Sequence, residues 1–299
     1  MKEEKRNTYL LMASFVIAEI LALVFANNIL VSKIPVEQYQ PFGNENIVQA
    51  SANSGILILF VVIFTLFLIA VIKLKFGIIF RLVSIGLPVF FLFMLLEQQL
   101  GLVSLYVLNI SALTTNTLFV LIIAYVILVL YSILKGITFV TTTGFLLATS
   151  LIGAYLAVSI SPPTLFILPV AFALYDIYAV FKGPLKTLIK VMPITRGKTA
   201  KTKSGKTAAG KNITADLQKQ FGLMLARIGG FTIGAGDFTF YSMLVAAGFV
   251  LKGLLAAVVV GVAINAGVIA TLWILQKYQK PLPGLPIPIF LGIATLILI

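Results

Sequence analysis

The chain has 299 residues, of which 60% are hydrophobic and 10% charged, and its formal net charge is +13. A soluble domain of this length needs a far more polar surface, so the composition predicts an all-α polytopic membrane protein. There is no cysteine and no histidine, which excludes a disulfide, a thiol nucleophile, an imidazole base and an HExxH zinc site. We expect no metal and no cofactor. Mechanisms that depend on cysteine or histidine side chains are therefore excluded, whereas carboxylate chemistry remains possible.

In chain order, nine apolar segments are long enough to cross a bilayer, which takes about 20 helical residues. The first is too long for a signal-peptide core and is interpreted as a span. A charge and a helix-weakening glycine, Lys135-Gly136, separate the fourth from the fifth. The nine predicted transmembrane helices lie at about 8–31, 54–74, 77–96, 116–135, 137–160, 163–181, 229–250, 253–276 and 284–299.

Basic residues set the predicted orientation. With the N-terminus inside and the C-terminus outside, twenty of the 22 lysines and arginines fall on the inner side, and only Lys33 and Lys252 fall outside. Cytoplasmic loops carry such an excess of positive charge, so the bias supports both the orientation and the count of nine.

Three regions follow from this plan. Residues 1–181 hold the first six helices, residues 182–228 form a basic cytoplasmic loop, and residues 229–299 hold the last three helices. The loop is rich in Lys, Gly and Thr without an apolar period, and we expect it to be flexible. No stacking aromatics lie among its lysines, so attraction to anionic lipid is favoured and nucleic-acid binding is not expected.

Two of the nine acids lie inside apolar spans near the inner face. Asp176 precedes Lys182 by six residues, about 9 Å along a helix, and Asp237 follows Gly229 by eight. An acid in the hydrocarbon layer is expensive and indicates a functional site. Two carboxylates within hydrogen-bond reach share one proton. The charged member can then take a proton from water while the protonated member hydrogen-bonds to a scissile carbonyl.

Residues near the two acids suggest how a substrate is held. Gly234 and Gly236 are expected to let the seventh helix approach the sixth. Gly229-Gly230 discourages helix and leaves Phe231, Thr232 and Ile233 free to be extended and to pair with an unwound substrate. Tyr175 is expected to hydrogen-bond to the adjacent acid, to wall the substrate cavity, or simply to pack.

A proline-rich segment near the C-terminus cannot be regular helix. It reads Pro281-Leu282-Pro283-Gly284-Leu285-Pro286-Ile287-Pro288. Two interpretations are open: a stiff loop that begins the last helix, or irregular backbone placed against the two acids. In the second interpretation Pro283, Gly284 and Leu285 help to position a substrate.

Together these elements resemble the presenilin and signal peptide peptidase family of intramembrane aspartyl proteases. That family has Tyr-Asp in its sixth helix, Gly-x-Gly-Asp in its seventh and Pro-Ala-Leu before its ninth. Tyr175-Asp176 and Gly234-Ala235-Gly236-Asp237 match in full. Lys182-Gly183-Pro184-Leu185-Lys186 also looks presenilin-like, whereas Pro283-Gly284-Leu285 has glycine in place of the family's alanine.

The resemblance implies a microbial presenilin homologue in which Asp176 and Asp237 are the catalytic pair. Its substrates would be single-span helices or remnant signal peptides, cut near the inner face of a microbial cell membrane. The predicted orientation is the presenilin one. Partners would be such substrates and the lipid bilayer, and a homo-oligomer is compatible with the sequence.

Alternatives remain open from the residues alone. A cation channel or proton-coupled transporter also uses intramembrane acids, but few polar residues lie in these spans apart from Asn27, Asn28, Asn116 and Asn265. A catalytically idle scaffold that only binds membrane helices is a further alternative, but it would bury two costly acids without using them. A six-span prepilin-type peptidase disagrees with the nine spans. Glu19, in the first span, is interpreted as a structural or snorkelling acid, with a role in the substrate path as a minor alternative.

Overall fold

The computed structural model describes residues 2–32, 41–43, 46–74, 76–103, 112–181, 221–278 and 283–299. Across these ranges nine helices occupy the positions of the nine predicted segments. They are α1 (Lys2–Ser32), α2 (Ile47–Lys73), α3 (Gly77–Leu102), α4 (Ala112–Lys135), α5 (Thr138–Ser159), α6 (Pro162–Phe181), α7 (Ala235–Lys252), α8 (Leu254–Tyr278) and α9 (Pro286–Leu298).

Seven of these helices, α1 to α6 and α8, are long and apolar enough to cross a membrane. Their outward faces carry large exposed apolar side chains, such as Phe60 and Phe67 on α2 and Val120 and Ile127 on α4. Exposed apolar bands of this extent need lipid rather than water around them. The protein is therefore a multi-pass integral membrane protein.

The other two helices differ from these seven. Helix α7 has 18 residues, with an acid in its first turn and a lysine in its last. Helix α9 has 13 residues. Nine helices thus lie where nine were predicted. Nine membrane crossings and the orientation of the termini stay predictions.

Helix α3 contains a π-helical turn, Leu82–Gly86, between its two α-helical parts, Gly77–Arg81 and Leu87–Leu102. Pro88 follows this turn and cannot donate a backbone hydrogen bond to the residue four positions earlier. Widening the turn at that point accommodates the lost bond without ending the helix.

Helix α7 is the centre of the bundle and packs against α5, α1 and α8. The tightest contact is with α5 at Gly153, where a β-carbon would lie 2.7 Å from Cβ of Ser242 and 2.9 Å from the backbone N of Met243. Glycine therefore permits the two backbones to approach closely. Most side chains of α7 are buried as a result.

Helix α9 is held by α8 and α6. A β-carbon at Gly267 of α8 would lie 2.6 Å from Cα of Pro288, so the two backbones touch there. At the far end of α9, Lys252 Nζ donates a 2.9 Å hydrogen bond to the carbonyl of Leu296. These contacts fix α9 along its length.

A short hairpin precedes α7. A 3-10 turn (Gly222–Met224) leads into β1 (Leu225–Ile228), which pairs antiparallel with β2 (Phe231–Gly234). Gly229 and Gly230 form the connection with φ of +57° and +84°. Two glycines at positive φ are the requirement of a two-residue hairpin turn whose twist matches the strands. The turn packs against α1, because a β-carbon at Gly229 would collide with the backbone carbonyl of Asn7.

The hairpin corrects three predictions. The fold is not purely α-helical. The seventh helix begins at Ala235 instead of 229, because the preceding residues pair as strands. Residues 221–228, placed in the flexible loop, form the 3-10 turn and β1. The remainder of that loop, 182–220, lies outside the described residues.

Candidate active site

Asp237 lies in the first turn of α7 and is partly exposed. Gly234 is the N-cap residue, with an extended backbone at φ −77° and ψ 150°, and it joins β2 directly to the helix. The free N–H groups of the first turn carry partial positive charge, which favours a carboxylate at this position. The hairpin and the helix start together fix where this acid points.

Asp176 lies in the last turns of α6 and is also partly exposed. Its Oδ2 accepts a 3.1 Å hydrogen bond from the backbone N–H of Leu285, which is the N-cap residue of α9. The N–H of Gly284 faces the same carboxylate. Asp176 therefore accepts from the backbone at the N-terminal end of α9.

The backbone of the segment Pro283-Gly284-Leu285, called the 283–285 segment, brings the two acids together. Leu285 donates to Asp176, and a β-carbon on Gly284 would lie 3.1 and 3.2 Å from the two carboxylate oxygens of Asp237. Adjacent residues of this segment thus lie beside both acids. Of the two interpretations of the proline-rich segment, irregular backbone placed against the acids is the one observed.

Tyr241 is a site residue that the sequence analysis did not select. It lies one turn after Asp237 on α7, is 3% exposed, and its hydroxyl donates a 2.9 Å hydrogen bond to the carbonyl of Gly284. The 283–285 segment is therefore bound from both sides, by Asp176 on α6 and by Tyr241 on α7. The i, i+4 spacing of Asp237 and Tyr241 places them on one helix face, and this was the available signal.

An aromatic cluster supports α7 beside the site. Phe238 is fully buried, stacks on Phe15 of α1 at 4.1 Å between ring centroids, and meets Phe145 of α5 edge-on at 5.1 Å. Phe15 also contacts the ring of Tyr241 at 5.3 Å. Paired aromatic rings of this kind hold a helix rigidly against its neighbours.

Strand β2 brings three predicted positioning residues beside Asp237. Phe231 and Ile233 pack on the hydrophobic core, and Thr232 is exposed. Within the described residues β2 pairs only with β1, so its other edge has no strand neighbour there. Tyr175 is partly exposed next to Asp176 and makes no hydrogen bond to another described residue, so the expected bond to the acid is not observed.

The predicted role of two glycines was wrong. Nothing within 4 Å would meet a β-carbon on Gly236, and at Gly234 the nearest atom is the backbone N of Gly236 at 4.0 Å. Neither residue allows α6 and α7 to approach, and these helices meet through the rings of Phe172 and Phe240 at 4.6 Å. Close packing of α7 instead occurs on its other side, at Gly153. The glycines leave open space beside Asp237.

The chemistry of the site is that of two carboxylates. Among the described residues no group of three or more Asp, Glu, His or Cys side chains could hold a metal ion. Two acids at one place are a donor set suited to acid–base catalysis on water.

Comparison with known proteins agrees with this geometry. Residues 193–299 match the presenilin family model. A presenilin-like protein of Arabidopsis thaliana is 42% identical over 72 residues, which are 24% of this chain and 18% of the plant protein. The matched segment thus spans less than a fifth of that relative.

Solved structures extend the comparison to the whole chain. A presenilin family intramembrane aspartate protease, in two crystal forms, superposes with a TM-score of 0.59 in each. The sequence identities are 18% and 19%; the alignments cover 96% of this chain and 96% and 94% of the solved chains. The fold is therefore shared over nearly the full length. Sequence match and fold together confirm the resemblance of this membrane protein to the presenilin family.

Proposed function

We propose that the protein is an intramembrane aspartyl protease that hydrolyses peptide bonds within single-span transmembrane helices or remnant signal peptides. One observation carries the proposal: two acids from separate helices lie at one backbone segment, because the Leu285 N–H donates to Asp176 and a β-carbon on Gly284 would lie 3.1 Å from Oδ2 of Asp237. A presenilin family intramembrane aspartate protease shares the fold, and this likeness supports the proposal.

Asp176 and Asp237 act as a pair with one shared proton. Two carboxylates within hydrogen-bond reach of each other do not both ionise, so one is charged and the other protonated. The charged aspartate removes a proton from water as the water attacks the carbonyl carbon. The protonated aspartate hydrogen-bonds to the carbonyl oxygen. The proton then passes to the leaving amine as the tetrahedral intermediate collapses, and the pair returns to its initial state.

Substrate positioning is assigned to β2 and the 283–285 segment. A transmembrane helix must lose internal hydrogen bonds before its peptide bond can be attacked, and inside a membrane the freed groups need new partners. The open edge of β2 offers a row of backbone donors and acceptors leading to Asp237. Gly236 leaves space where the unwound segment passes, and Tyr175 forms part of the wall.

The proposal includes nine crossings with the N-terminus inside and the C-terminus outside. Most side chains of α7 are buried among other helices, so it needs less apolar surface than a lipid-facing span. The basic region 182–220 then lies on the inner side as a cytoplasmic loop, and cleavage occurs near the inner face.

The polar side chains of the spans give less support to a channel or transporter. The hydroxyl groups of several of them donate to backbone carbonyls of their own helix, as those of Ser14, Thr149 and Ser150 do. These three residues are also buried in the packed bundle, so they give no support to an ion path.

The test is cleavage of a labelled single-span helix by the purified protein in detergent. Asp176→Asn and Asp237→Asn should each abolish cleavage while the protein stays folded. Glu97→Gln, the same change at an exposed acid on α3, is the matched control and should cut like the wild type. Cleavage by either aspartate variant at the wild-type rate would refute the proposal. Ion flux in liposomes, with no cleavage of several substrates, would favour transport.

A further inference from the structure

A third acid lies inside the bundle, away from the two aspartates. Glu19 of α1 is 6% exposed, so it does not snorkel to the surface. Its two carboxylate oxygens accept hydrogen bonds of 2.9 and 2.8 Å from Nδ2 of Asn265 on α8. A buried carboxylate without partners is strongly destabilising, so the position of α8 relative to α1 is tied to this bond.

The surroundings are shaped to receive the carboxylate. Gly261, one turn before Asn265, has no side chain, and a β-carbon there would lie 3.2 Å from Oε2 of Glu19. Asn265 Nδ2 also donates to the carbonyl of Gly261, and its Oδ1 is buried without a partner among the described residues. The amide is thus fixed to its own helix and directed at Glu19.

Helix α1 contacts α7 one turn away from this acid. Phe15 precedes Glu19 by four residues on α1 and stacks on Phe238, the neighbour of Asp237. The same helix therefore holds α7 through an aromatic ring and α8 through a carboxylate.

Helix α8 in turn carries the start of α9. Gly267, two residues after Asn265, lies against the backbone of Pro288. Three residues earlier in the chain, Leu285 donates to Asp176. A series of rigid contacts thus runs from Glu19 through α8 to the 283–285 segment.

We propose that Glu19 and Asn265 form a clamp that positions the 283–285 segment against the two aspartates. Glu19 is a positioning residue and does not touch the substrate. The proposal rests on the protease function proposed above. Without the clamp, α8 and α9 shift relative to α7, and the backbone N–H of Leu285 no longer meets Asp176 in the productive geometry.

The test compares kcat and KM for cleavage of the labelled helix. Glu19→Ala and Asn265→Ala should each lower kcat about tenfold or more, since a displacement of about 1 Å can cost a hundredfold, while KM changes less than about twofold. The double variant should be no slower than either single variant, because the two changes break the same bond. Glu19→Gln should restore most of kcat, since a glutamine can accept from Nδ2 and donate to the free Oδ1 of Asn265.

Ser14→Ala is the matched control, because Ser14 lies on the same helix and, within the described residues, its hydroxyl bonds only to the carbonyl of Leu10. It should leave kcat unchanged. An unchanged kcat in Glu19→Ala, additive losses in the double variant, or an equal loss in Ser14→Ala would overturn the clamp.

Asp176→Asn in the same assay separates the two proposals. If that variant is inactive and Glu19→Ala is as active as the wild type, the clamp alone fails. If Asp176→Asn cuts, the protease proposal fails and the clamp falls with it.

Discussion

Replacement of Tyr241 by phenylalanine removes one hydroxyl from the site and leaves the ring. The lost bond is the 2.9 Å contact with the Gly284 carbonyl, while ring packing on Phe15 is retained. Such a bond contributes about 1 kcal/mol to stability. We therefore expect the free energy of unfolding to fall by about 1 kcal/mol.

The expected effect on catalysis is larger than the effect on stability. Tyr241 holds Gly284, and the next residue donates to Asp176. If the segment moves by part of an ångström, the geometry around both acids changes. Since about 1 Å of misplacement can cost a hundredfold in rate, we expect kcat to fall about tenfold.

The matched control is Tyr125→Phe. Tyr125 on α4 donates a 3.2 Å hydrogen bond to Thr143 on α5, and within the described residues no hydrogen bond joins either of them to the site. Cleavage rates and thermal unfolding midpoints in detergent should show similar small losses of stability in both variants and a loss of kcat only in Tyr241→Phe. Wild-type kcat in Tyr241→Phe, or an equal loss in Tyr125→Phe, would refute the reasoning.

Three further predictions concern glycines. Gly284→Val should lower kcat about a hundredfold with little loss of folding, since its side chain would enter the space of the Asp237 carboxylate; cleavage at the wild-type rate would contradict this. Gly153→Leu should lower the thermal unfolding midpoint, because the α5–α7 contact leaves no room for a side chain at this position. Gly236→Ala should leave the midpoint unchanged, and equal midpoints in the two variants would refute this prediction. Gly229→Ala should lose both stability and cleavage, because a β-carbon collides with Asn7; unchanged values would show the hairpin to be dispensable.

The helices could be predicted because lipid imposes a simple rule. An apolar run of about 20 residues has few alternatives in a bilayer. The nine predicted segments therefore overlap α1 to α9, although α2 begins at 47 instead of 54, α3 ends at 102 instead of 96, and the first six residues of the seventh segment are not helical. That part failed because apolar content alone does not distinguish a short buried hairpin from a helix. Gly229-Gly230 between two apolar runs was the available signal.

The two aspartates stood out because a charge in an apolar span is costly wherever the span packs. Tyr241 and Asn265 did not, since a tyrosine or an asparagine in a membrane helix is unremarkable until its partner is known. The role of Gly234 and Gly236 could not be predicted, because a glycine that admits a neighbouring helix and a glycine that leaves open space look alike in sequence.

The decisive bonds of the site join residues far apart in the chain. Leu285 and Asp176 are separated by 109 positions, Tyr241 and Gly284 by 43, and Asn265 and Glu19 by 246. All three bonds involve α8, α9 or the segment between them, which lie within the region matched by the presenilin family model. That region supplies Asp237 and the elements that orient its partner, whereas Asp176 and Glu19 come from helices outside it. Because the 283–285 segment is bound by α6 and α7 at once, we expect a change in the packing of α8 to reach both acids together.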